Sequence, residues 1–205
     1  MQLNPISAIL CDINVHYKIV MRIRVKLNKG RRVHSIPELI AQMKRDWTEP
    51  QEVPFEGLHP SPAYQCIFEE PATTEEIDRI RVDVPESLRC FWNQARSAEL
   101  FRDIVYGQRG MRIMSPEEAS MATDLFKQDQ DRERDAVFGD LVIGEFFTDF
   151  DTFIIRCDQM APDFGTILAG MPLDSRSDWQ TVASDLTEFL NQFVRFKGDK
   201  YWEWS

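Results

Sequence analysis

In the stretch "TDFD" a single residue separates Asp149 from Asp151, and some transferases use this D-x-D spacing to hold a divalent metal and a nucleotide sugar. On a strand both side chains would point to one side, because strand side chains repeat every two residues. Asp158 and Asp163 follow closely in the chain. Hard cations need several oxygen ligands close together, so this acidic cluster is the first candidate for metal chemistry.

The same stretch also fits a turn between two strands. It lies between the apolar runs "LVI" at 141–143 and "FII" at 153–155, and Thr148-Asp149 suits a bend of the backbone. A transferase would further need a nucleotide-binding fold, but the sequence has neither a G-x-G-x-x-G nor a P-loop motif. We therefore expect a β-hairpin with no metal and no cofactor, and keep a metal-dependent transferase using Asp149 and Asp151 as an alternative.

Other enzyme signatures are missing from the sequence. It has no G-x-S-x-G elbow and no H-E-x-x-H motif. Its three histidines all lie in the first third, and the four cysteines are widely spaced with no C-x-x-C. A catalytic Cys–His pair that the fold brings together remains an alternative, because such sites are recognised by their geometry and not by the order of their residues in the sequence. We predict a protein that is not an enzyme, with reduced, structural cysteines.

Composition and charge limit the class of partner. The chain of 205 residues is 43% hydrophobic and 28% charged, with no apolar run near the ~20 residues of a membrane span and no basic start typical of a secretory signal. We expect a cytoplasmic protein that binds no membrane. Residues 61–205 hold 15 basic and 28 acidic side chains, a net charge of −13. An acidic segment of this kind repels nucleic acid and attracts basic proteins, although the need for solubility alone also explains an acidic surface.

Local patterns predict where helices and strands begin. Residues 15–27 alternate between apolar and mostly basic side chains, as a half-buried strand does. Capping boxes at Ser35, Thr73 and Ser115 predict three helix starts. Four prolines and a glycine in 48–65 predict a connection. We therefore divide the chain into an N-terminal strand–helix extension with its connection, residues 1–65, and a domain of residues 66–205.

The C-terminal half carries further strand and helix signals. Residues 165–170 fit a short third strand after the two apolar runs, and an apolar stripe from Trp179 to Phe193 has helical spacing. The predicted order is helices, then strands in sequence, then a closing helix. This order indicates an α+β fold with a mainly antiparallel sheet flanked by helices and closed by a C-terminal amphipathic helix.

Four segments, taken in order, resemble the SUKH superfamily, which includes the yeast Smi/Knr cell-wall regulator and many bacterial immunity proteins. The segments are "PATTEEIDRIRVDVPESLRCFW", "YGQRGMRIMSPEEAS", "LVIGEFFTDFDTFIIRCD" and "WQTVASDLTEFLNQFV", and the resemblance covers roughly residues 71–197. The chain departs from the family at Asn93-Gln94-Ala95, where many members have Asn-Gly, and at Phe150, where a glycine is usual.

The resemblance implies a non-enzymatic binding scaffold, with Asp151 as a turn residue of the central sheet. It implies most directly an immunity protein that binds a basic, nuclease-like toxin. A regulatory scaffold of the same fold, acting in cell-envelope or signalling networks, is the alternative. The acidic charge suits a basic partner, and Asp149, Asp151, Asp158 and Asp163 are the partner-binding candidates.

Overall fold

The computed structural model describes residues 33–54, 59–129, 134–148, 151–171 and 174–204. Its helices are α1 (Ile36–Trp47), α2 (Thr74–Asp78), α3 (Glu86–Trp92), α4 (Pro116–Gln128) and α5 (Leu186–Arg195). Its strands are β1 (Gln51–Glu52), β2 (Ala63–Phe68), β3 (Ala98–Asp103), β4 (Met111–Ile113), β5 (Asp140–Phe146), β6 (Thr152–Arg156), β7 (Ile167–Gly170) and β8 (Gln180–Ala183). Short 3-10 turns span Arg176–Asp178 and Tyr201–Trp204.

The eight strands form one antiparallel sheet in sequence order, which confirms the α+β class. Strand β5 pairs with β6 across the predicted hairpin, and β7 lies within the predicted third strand. All three predicted helix starts are found. At Thr73 and Ser115 the cap side chain accepts from the N–H of the glutamate three residues later, and that glutamate accepts from the cap N–H. At Ser35 the second of these bonds is formed, from the Ser35 N–H to Glu38. The strand predicted for 15–27 lies outside the described residues.

One face of the sheet holds the main core. Leu141 and Ile143 from β5, with Phe153 and Ile155 from β6, pack with α1, α3 and α5 in a single hydrophobic cluster. Side chains of the intervening residues, among them Val142 and Ile154, belong to the opposite face, as the two-residue period of a strand requires. There the Trp179 ring lies over Gly170, where an added Cβ would approach the ring to 2.7 Å.

The last helix is shorter than predicted. Helix α5 begins at Leu186, with Asp185 as its N-cap accepting from the Glu188 N–H, while 180–183 forms β8. The prediction of one helical stripe from Trp179 was wrong, because Val182 and Ala183 lie at helical spacing from Leu186 by coincidence. The predicted order was also wrong: β2 precedes α2, and α4 separates β4 from β5.

The N-terminal part contributes to the same core. Helix α1 buries Ile36, Leu39, Ile40 and Met43, and packs against β2 and α5. Strand β2 runs through the predicted boundary between residues 65 and 66, and the predicted connection contains β1. None of the helices in the described ranges has the length and apolar character that crossing a membrane requires.

Candidate protein-binding surface

Asp151 is buried rather than displayed at the tip of the β5–β6 hairpin. Its carboxylate forms an ion pair with Lys200 Nζ, and its carbonyl accepts from the Phe146 N–H at 3.0 Å. The same ammonium lies 4.8 Å from the centre of the Phe146 ring. Asp151 therefore fastens the C-terminal segment to the sheet. Asp149 lies outside the described residues.

This geometry bears on the metal alternative. The Lys200 ammonium already pairs with the Asp151 carboxylate. Among the described residues, no group of three or more His, Cys, Asp or Glu side chains is placed to hold a metal ion. A hard cation needs several oxygen ligands together. Asp151 is thus better understood as the anionic half of a buried ion pair.

The opposite face of the sheet carries a charge network, buried at its centre, that we call the Asp140 network: Asp135, Asp140, Arg156, Asp163 and Arg176. Asp140 and Arg156 are cross-strand partners, and both are buried. Asp140 accepts from the guanidinium groups of Arg156 and Arg176 and from the Val137 N–H. The Arg176 backbone N–H also donates to Asp135, at 2.8 Å. The network holds the 174–179 segment against the sheet.

Arg156 also reaches the open end of the β5–β6 hairpin, where two of the predicted partner-binding residues, Asp158 and Asp163, lie. Its Nε donates to Asp163 at 2.9 Å, and its Nη1 donates to the Phe138 carbonyl at 3.1 Å. The Cys157 N–H donates to the Gly139 carbonyl at 2.7 Å, so 137–139 and 156–160 lie side by side. A Cβ on Gly139 would approach Asp158 Cβ to 2.7 Å, and its φ of +81° also favours glycine.

Two large apolar side chains project beside this contact. Phe138 is 81% exposed and directly precedes Gly139, and Met160 is 92% exposed and lies two residues after Asp158. Asp158 is half-buried, and its Oδ1 accepts from the Met160 N–H at 3.0 Å. Asp163 is also half-exposed. We call Phe138, Asp158, Met160 and Asp163 the hairpin-end surface.

The hairpin-end surface combines exposed apolar area with negative charge. Exposed apolar groups rimmed by polar ones mark interaction sites more often than isolated surface residues do. The two carboxylates add attraction for a cationic partner. Of the four predicted partner-binding residues, the structure thus brings Asp158 and Asp163 together with exposed apolar side chains and places Asp151 in a buried pair.

No family model and no curated protein sequence matches this chain.

Sequence reasoning did not find Phe138, Met160 or the Asp140 network. The sequence did contain a signal that Asp140 is unusual, because this aspartate directly follows Gly139 and begins an otherwise apolar strand. Its partner Arg156 is 16 residues away and becomes visible only when the register of the hairpin is known. Phe138 and Met160 look like ordinary apolar residues in the sequence, because exposure is a tertiary property.

The two buried thiols of the described residues, Cys66 and Cys157, suit a structural role. Burial, with a smaller contribution from the charge of Asp140, raises the pKa of Cys157 to about 12. Burial likewise raises the pKa of Cys66 to about 12. Because the thiolate is the reactive form of cysteine, neither thiol is activated as a nucleophile.

Proposed function

We propose that this protein is a non-enzymatic binding scaffold that neutralises a basic, nuclease-like toxin in the cytoplasm, as an immunity protein does. The observation that carries the proposal is the hairpin-end surface, where Phe138 and Met160 are exposed beside Asp158 and Asp163. The net charge of −13 over residues 61–205 and the resemblance to the SUKH superfamily support the same function.

The two kinds of side chain have different roles in such a complex. Large apolar groups at the centre of an interface account for most of the binding energy, and an aromatic ring is a typical anchor. Carboxylates around them guide a cationic partner and raise the association rate. Opposite charges on free surfaces are screened over ~8 Å at physiological ionic strength, so rising salt should slow association more than it speeds dissociation.

The proposal predicts a toxin gene directly beside this chain's gene, and the test is co-expression with that toxin. The native protein should restore growth, whereas Phe138→Ser with Met160→Ser should abolish rescue and weaken the complex by about 30-fold or more, as expected for a hot-spot residue. Leu125→Ser is the matched control, because Leu125 is 61% exposed on α4 outside the hairpin-end surface.

Asp158→Asn tests the electrostatic contribution to toxin binding separately. The amide oxygen can still accept from the Met160 N–H, so the turn is kept while the charge is lost. We expect slower association at low salt and a nearly unchanged dissociation rate. Full rescue and unchanged affinity in the Phe138/Met160 double variant would refute the proposed surface. Failure of the native protein to bind or rescue would refute the immunity function and leave the regulatory-scaffold alternative.

A further inference from the structure

A second concave site lies next to Phe138, on the side of α4. It is a groove of about 350 Å³ between the 79–82 segment that follows α2, one side of α4 and the start of β5. Its apolar lining comes from Ile80, Val82, Phe138 and Leu141. The volume lies at the lower end of the range for ligand pockets, which suits one or two side chains rather than a whole cofactor.

The groove is basic although the chain is acidic. Arg79, Arg81 and Lys127 are exposed and line it, with Asp124 as the one acidic lining residue, so its lining carries a net charge of +2 in a chain of −10. Within the described residues, none of these three cations has a carboxylate at ion-pair distance. The preceding carboxylate in the sequence, Asp78, is instead paired with Arg89 at 3.2 Å.

A larger groove between α1 and α5 offers a comparison. It has a volume of about 790 Å³, and its charged lining residues balance: Asp46 and Glu52 against Arg195 and Lys197. Size alone therefore does not set the smaller groove apart. The smaller groove differs because three cations lie beside its apolar floor and only one carboxylate, that of Asp124, lines it.

We propose that the groove beside Phe138 binds an acidic peptide segment of a partner protein, with an apolar side chain on the floor and carboxylates at the rim. Guanidinium groups bind carboxylates with strong, often bidentate hydrogen bonds, and Arg79 and Arg81 provide two of them. The apolar floor favours a peptide over a small inorganic anion, which would leave that floor uncovered. The groove shares Phe138 with the hairpin-end surface, but its cations would bind a ligand of opposite charge, so the proposal does not depend on the toxin-binding function.

The probe is a fluorescent nonapeptide, Gly-Ser-Glu-Leu-Glu-Glu-Leu-Ser-Gly, titrated into the full-length protein and followed by anisotropy. Its counterpart with Gln in place of each Glu tests the charge. We expect saturable binding of the acidic peptide and at least about tenfold weaker binding of the Gln peptide. Arg79→Gln with Arg81→Gln should weaken acidic-peptide binding by about tenfold, and Ile80→Ser should weaken the binding of both peptides.

Arg45→Gln is the control, because it removes an exposed cation from α1, which does not line the groove. Urea midpoints equal to that of the native protein would show that the variants are folded. Amide NMR shifts should locate the peptide at 79–82 and 138–141. Equal affinity for both peptides, binding unaffected by the arginine changes, or shifts confined to the groove between α1 and α5 would each overturn the proposal. Inorganic phosphate that reproduces the same shifts and displaces the peptide would also overturn it, since the groove would then be a simple anion site.

Discussion

Replacing Asp140 with asparagine tests whether the Asp140 network stabilises the fold. Asp140 is 1% exposed and accepts from two guanidinium groups, so the change leaves two cations without their shared anion while the side-chain shape is kept. Removing one partner of a buried ion pair typically costs about 3–5 kcal/mol. Arg156 would still be paired with Asp163, and the Arg176 side chain is partly exposed to water. We therefore expect a loss of unfolding free energy at the lower end of this range, about 3 kcal/mol.

The assay is equilibrium unfolding in urea at neutral pH. A loss of about 3 kcal/mol with a slope of about 2–3 kcal/mol/M lowers the urea midpoint by about 1–1.5 M. Asp78→Asn is the matched control, because its pair with Arg89 is exposed and should contribute no more than about 1 kcal/mol. If Asp140→Asn shifts the midpoint no further than Asp78→Asn does, the network is not a source of stability. Should Asp140→Asn not fold at all, Arg176→Gln gives a milder test of the same contacts.

Two further predictions concern pH and the N-terminal helix. The Ser184 hydroxyl and N–H both donate to the Glu188 carboxylate and lower its pKa in the folded protein. This contribution to the stability of the fold is therefore present above the unfolded pKa of about 4.3 and is lost as the pH falls through the lower folded pKa. Urea midpoints measured from pH 6 to 3 should fall less in Glu188→Gln than in the control Glu117→Gln. Met43→Ala should cost about 2–5 kcal/mol, because Met43 is fully buried in the shared core, while Met121→Ala at a 59% exposed position should cost little. Equal midpoints for the two methionine variants would instead support residues 66–205 as the folding unit.

The sequence predicted the elements whose signals are local. A capping box needs only four residues, and the strands of the β5–β6 hairpin are apolar runs on either side of a turn, so both were found. Strands β2 and β3 were missed because a register shift between Gln65 and Ile67 and the positive φ of Phe101 break the two-residue period. Strand β4 has only three residues, which is too short for any period to appear.

The candidate surface depends on relations that a single sequence does not show. The acidic cluster was visible as a group, yet its members separate in space: Asp151 turns inward to Lys200, while Asp163 pairs with Arg156 and stays half-exposed. Which aspartate turns inward depends on where the C-terminal segment returns to the sheet. Contacts between residues 49 positions apart, as for Asp151 and Lys200, follow from the fold and not from spacing.

Arg156 connects the stability of the fold to the proposed binding site. The same guanidinium donates to Asp140 in the interior, to the Phe138 carbonyl and to the Asp163 carboxylate. It therefore links the two segments that present the hairpin-end surface, and its own position is fixed by a buried anion. A surface held in place before binding loses less conformational entropy on association. We therefore expect that Phe138 and Met160, which are exposed, can be changed without unfolding the protein, whereas a change at Asp140 should weaken both the fold and the surface it supports.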